Sequence, residues 1–173
     1  MGRLERLTGL GVVVIAGFVW TVAAAEELPK ASVLPLALAN KAATGALDKC
    51  KRDGYRVSVA VVNRDGVLTV LMRADGAGPH TVSSSTKKAY TAASLRRPTG
   101  DLADAIAKQP ALEGLRQMDS NILILGGGLP IEIGGEVVGG IGVGGSPGAQ
   151  LDEACARAGL ESIGAMPKAP TGP

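Results

Sequence analysis

The stretch Glu-Val-Val-Gly-Gly-Ile-Gly-Val-Gly-Gly-Ser-Pro-Gly, from Glu136 to Gly148, places glycine at alternate positions 140, 142 and 144. Successive side chains of a strand point to opposite faces. Gly140, Gly142 and Gly144 therefore share one face, and Ile141 and Val143 take the other. One face is left as bare main chain, which predicts close approach by a helix, a neighbouring subunit or a flat ligand. A phosphate-cradling loop does not fit. No Gly-Lys-Ser/Thr follows the glycines, and Gly126-Gly127-Gly128 leads into another strand rather than a helix.

The rest of the chain supplies the partners. Residues 32–52 read as a helix with Leu36, Ala39, Ala43, Leu47 and Cys50 on one stripe, Pro35 in its first turn and Gly54 at its stop. Val57, Val59 and Val61 alternate in a strand; Asn63-Arg64-Asp65-Gly66 turns the chain, and 67–73 is the return strand. After a Gly/Pro loop at 75–79, His80 or Thr81 opens a helix reaching about Leu95. Pro98 breaks it, and Thr99 is placed to cap a third helix to about Lys108, with Asp101 in its first turn. Residues 110–119 form a short turn or helical piece. Asn121–Leu125 reads as an apolar strand, followed by a hairpin of 129–133 and 136–143 around Gly134-Gly135. Ser146 is placed to cap a last helix with Pro147 in its first position, Leu151, Ala154, Cys155 and Ala158 on its buried stripe and Gly159 at its end. The order is α-β-β-α-α-β-β-β-α. Strands joined by tight turns are antiparallel, and helices grouped between strand blocks indicate an α+β domain.

The first residues read differently. A basic start at Arg3 and Arg6, an apolar run over 10–20 and Ala23-Ala24-Ala25 before Glu26-Glu27 predict a secretory signal peptide, residues 1–25, cleaved after Ala25. The apolar run is short of the ~20 residues of a spanning helix. The expected domain is 26–165, with a Pro-rich tail at 166–173, in the periplasm or outside the cell. Trp20 and Phe18, the only Trp and Phe, belong to the leader, so Tyr55 and Tyr90 are the only aromatics of the domain. A net charge of +2 and the lack of aromatics to stack bases argue against nucleic acid. Two cysteines and one histidine do not make a zinc site. Cys50 and Cys155 both fall on buried helix stripes. If the first and last helices share a sheet face, an exported chain can join them as a disulfide; otherwise they are reduced core thiols.

At this point the residues resemble a known family. The blocks "GYRVSVAVVNRDGVLTVLMRADGAG", "STKKAYTAASLRRPT" and "GGGLPIEIGGEVVGGIGVGGSPGAQLDEACARAGLESI" occur in the order found in the GlcG/HbpS-like haem-binding family, which also takes in the C-terminal domain of PduO-type proteins. The resemblance covers about 34–163. It implies a five-stranded antiparallel sheet with helices on both faces, in a profilin-like arrangement, and homo-oligomers, often octamers. It also implies haem binding, in some exported members linked to haem sequestration, breakdown or sensing.

On that resemblance the candidate cofactor residues are His80, Lys88 and Arg97. His80, the only histidine, follows Gly78-Pro79 at the amino end of a helix, and imidazole is a standard axial ligand of haem iron. Its plainer reading is a solvated loop histidine. Lys88 and Arg97 suit propionates or another carboxylate; the alternative for them, and the preferred reading for Lys87 and Arg96, is a solvated helix face. Tyr90, Met72 and Met118 read as packing residues before ligands. With so few aromatics a haem should lie in a shallow site or between subunits. Asp75, His80 and Ser83 to Ser85 do not establish a triad by nearness in sequence. Three functions follow: an exported, oligomeric haem-binding protein; an isomerase or lyase for a small carboxylated substrate, with His80 moving protons; or a non-catalytic assembly module.

Overall fold

The computed structural model describes residues 27–165; the expected leader and tail lie outside them. Residues 31–165 belong to one unit, and everything below concerns that unit. Its elements are α1 (Leu36–Arg52), β1 (Ser58–Asn63), β2 (Leu68–Arg73), α2 (His80–Leu95), α3 (Thr99–Lys108), a 3₁₀ helix (Pro110–Gln117), β3 (Gly128–Ile133), β4 (Glu136–Gly144) and α4 (Ala149–Ser162). The fold is α+β. The sheet is antiparallel, in the order β2-β1-β4-β3.

The registers explain the layers. Val59 pairs with Val143 and Val61 with Ile141, and these side chains meet α1 and α4 in the main core. Ser58, Ala60 and Val62 pair with Gly144, Gly142 and Gly140 on the opposite face, which α2 covers. The bare glycine face is thus filled by a helix. A Cβ on Gly140 would collide with the Ala89 carbonyl and one on Gly142 with the Ser85 carbonyl, while one on Gly144 would sit 2.6 Å from Ser84 Oγ. The α1–α4 contact is equally close: Ala39, Ala42, Ala43 and Ala46 are fully buried, and a Cβ on Gly159 would lie 2.5 Å from the Ala42 carbonyl. Cys50 of α1 and Cys155 of α4 are joined as a disulfide in this seam, their Cα atoms 5.5 Å apart.

Several expectations are corrected. Among the described residues the sheet has four strands, not five, because 121–125 does not pair. Ile122 and Ile124 turn instead into a small cluster with Leu102 and Ile106 of α3, and the Leu123 amide donates to Thr91 Oγ1 (2.8 Å), so the backbone is satisfied without a neighbouring strand. Thr99 does not cap α3: its hydroxyl accepts from the Gly128 amide and donates to the Leu125 carbonyl, both at 2.8 Å, holding the loop into β3. α1 begins after Pro35 rather than at Ser32, since a residue preceding proline is kept out of the helical region. Leu36 is consequently exposed, and the buried stripe runs through the alanines to Cys50. α4 starts at Ala149 with Gly148 before it. Ser146 lies outside, donating from its hydroxyl to the Gly148 carbonyl. The buried stripe of α4 is Asp152, Cys155, Ala156, Gly159 and Leu160; Ala154 is exposed, and Gly159 is a contact inside the helix rather than its end. The Gly134-Gly135 turn is as expected, with φ of 62° and 83°.

Candidate functional site

The three residues singled out from the sequence lie along α2, in three different environments. His80 is its first residue and is exposed. Its ring lies against Gly78, where a Cβ would come within 2.6 Å of the imidazole Cε1, and among the described residues no hydrogen bond engages it. Arg97 is exposed beyond the other end of the helix, following Arg96 in a left-handed turn (φ 53°). At ~1.5 Å per residue, His80 and Arg97 stand roughly 25 Å apart along the axis.

Lys88, between them, is 2% exposed. Its Nζ donates to Asp152 Oδ2 at 2.8 Å and to the Val143 carbonyl at 2.9 Å. The other oxygen of Asp152 accepts from the Ser146 amide at 3.0 Å. This buried ion pair ties α2 to the end of β4 and to α4. The Gly126-Gly127-Gly128 run makes room for it: a Cβ on Gly127 (φ 111°) would sit 3.0 Å from Lys88 Nζ and 2.7 Å from Asp152 Cβ. The structure therefore does not gather His80, Lys88 and Arg97 into one site.

The other candidates are engaged elsewhere. Ser84 and Ser85 donate to the carbonyls of Thr81 and Val82 in their own helix. Tyr90 packs its ring over Gly66, Met72 packs on the main core, and Met118 is exposed. No group of His, Cys, Asp or Glu among the described residues could hold a metal ion.

Sequence reasoning missed a cleft at the end of the molecule where α1 stops, β1 starts and β2 ends. It has a volume of about 510 Å³, and its wall includes Leu47, Lys51, Tyr55, Arg56, Arg73 and Asp75. The hairpin register carries the signal that was overlooked. Ser58 pairs with Arg73, so Arg56, two residues before Ser58, must lie beside the end of β2. Arg73 donates to the Ala77 carbonyl, and Arg56 runs along Gly76, where a Cβ would meet its Nη1 at 3.2 Å. Arg73 is thus bonded to the 74–77 loop that leads to His80, and Arg56 passes beside it.

Residues 34–161 match the sequence model of the family described as "Haem degrading protein HbpS-like". The chain belongs to the HbpS-like family. A solved double mutant of HbpS from Streptomyces reticuli is 41% identical, with a TM-score of 0.74 over 84% of this chain and 97% of that one. An uncharacterised 15.0 kDa protein of Citrobacter freundii is 35% identical over 115 residues, covering 66% of this chain and 81% of that protein. The solved complex of PduOC with haem is 25% identical, with a TM-score of 0.70 over 76% of this chain and 95% of that one. HbpS-like membership accounts for the layout described above, in which helices flank an antiparallel sheet on both faces.

Proposed function

We propose that this HbpS-like chain binds haem, as an exported homo-oligomer. The observation that carries the reading is the family match over 34–161, joined to the likeness to a relative solved with haem. The donor chemistry at the start of α2 fits: His80 offers an exposed imidazole with no competing hydrogen bond among the described residues. When bound, haem would supply a redox-active iron; the chain supplies the ring that holds it and the surface that orients it.

In this reading His80 would hold the haem iron through its imidazole. Arg97, roughly 25 Å away along α2, would meet the propionates of a haem held by His80 of a second copy, which makes the oligomer part of the site. Lys88 acts from inside, fixing α2 through Asp152 rather than touching the ligand. Export is supported by the Cys50–Cys155 bond, since disulfides persist in oxidising compartments. Titration of the purified protein with hemin tests the proposal. A Soret shift that saturates with the wild type and is lost or moved in His80→Ala is the expected result. A wild type that leaves the hemin spectrum unchanged sinks the haem reading, and an unaltered shift in the variant removes His80 as ligand.

A further inference from the structure

The cleft between α1 and the β1–β2 hairpin has the build of a ligand site, and its lining does not include His80. Its volume of about 510 Å³ falls in the range of small-molecule pockets, ~300–1,000 Å³. Three cations, Lys51, Arg56 and Arg73, face one carboxylate, Asp75. Among the described residues none of the three cations takes part in an ion pair. Nor are they needed to neutralise the end of α1. Its last carbonyls are already taken up: the amide of Asp53 donates to Lys49, that of Gly54 to Lys51 and that of Tyr55 to Cys50. Arg73 is pre-set by its hydrogen bond to the Ala77 carbonyl, and the exposed Arg56 lies beside it along Gly76. Side chains already ordered lose less freedom when a ligand arrives. Leu47 and the half-buried Tyr55 ring add an apolar wall.

We infer that this cleft binds a small organic dicarboxylic acid with an apolar body, its carboxylates on Arg56, Arg73 and Lys51 and its body against Leu47 and Tyr55. A forked guanidinium matches a carboxylate in two parallel hydrogen bonds. Two carboxylates balance the excess of three cations over one acid. The apolar wall distinguishes such a body from a bare inorganic anion, which could use the cations alone.

Isothermal titration of the full chain with phthalate tests this, with phthalamide as the uncharged isostere and inorganic phosphate as the bodiless anion. The expected result is one phthalate per protomer, no heat with phthalamide and weaker binding of phosphate. Arg56→Gln and Lys51→Gln should each weaken phthalate by roughly tenfold or more, the loss of a charge-assisted hydrogen bond. Lys41→Gln, which removes the same charge from an exposed position earlier on α1, should leave it unchanged. Arg73→Gln also removes the bond to Ala77, so the Lys51 variant, whose side chain makes no such bond among the described residues, carries the decision if that protein is unstable. No binding at millimolar phthalate, equal binding of phthalamide, or equal loss in Lys41→Gln overturns the proposal. So does stoichiometric displacement of phthalate by hemin, which would make the cleft part of the haem site. A chain that fails to bind hemin but binds phthalate as described leaves the cleft in place.

Discussion

A lysine that is 2% exposed cannot be weighed by its own charge alone, because its cost depends on what it meets. Lys88 meets Asp152, the Val143 carbonyl and no water-facing surface, and the carboxylate is completed by the Ser146 amide. Removing one partner of such a pair strands a buried charge. Lys88→Met should destabilise by about 3–5 kcal/mol in urea unfolding, whereas Lys88→Met with Asp152→Leu should recover most of that loss. A double variant no better than the single one would show that the pair is not the coupled unit described here. Gly142 gives the opposite kind of constraint, a place where any atom is too many. Gly142→Ala pushes a methyl group into the Ser85 carbonyl of α2 and should lower stability by about 1–3 kcal/mol or more, read from the same unfolding curves. Alternation alone announced the glycine face, because period-two spacing carries its geometry within a few residues. The role of Lys88 could not be read that way. Asp152 lies 64 residues further on, and nothing local distinguishes a lysine that points inward from one on a solvated helix face.

At the scale of elements, periodicity, breakers and turn residues together located the helices and the strands of the sheet, and they failed where satisfaction came from elsewhere. Asn121–Leu125 has the composition of a strand, but its Leu123 amide is met by a threonine hydroxyl and its isoleucines by α3. Thr99 and Ser146 look like caps from their positions; each hydroxyl instead holds a loop. The cleft was hidden for a related reason: its basic residues belong to α1, the β1 approach, and β2, and only the hairpin register brings them together. The disulfide was foreseen as a condition on helix packing, and α1 and α4 do share a face. It closes a sequence separation of 105 residues. Replacing both cysteines by alanine, or reducing the bond, should lower stability by about 2–5 kcal/mol. The urea midpoint with and without reductant measures it, and an unchanged midpoint would mean that the α1–α4 seam holds without the bond.

For the whole molecule, the proposed export and assembly make two expectations. Protein recovered from the periplasm or medium should begin at Glu26 by intact mass, and a product retaining residues 1–25 would contradict the leader reading. Sedimentation equilibrium should return a multiple of the protomer mass, and adding hemin should not dissociate it if partner copies complete the site. The architecture carries one more consequence. Asp152 and Cys155 lie three residues apart on α4, yet one reaches the helix layer on the far side of the sheet and the other is bonded to α1 on the near side. A single cut anywhere between Cys50 and Cys155 would therefore produce fragments that remain one covalent molecule. Protein nicked once in this way would travel as a single band on a non-reducing gel, its injury visible only once a thiol is added.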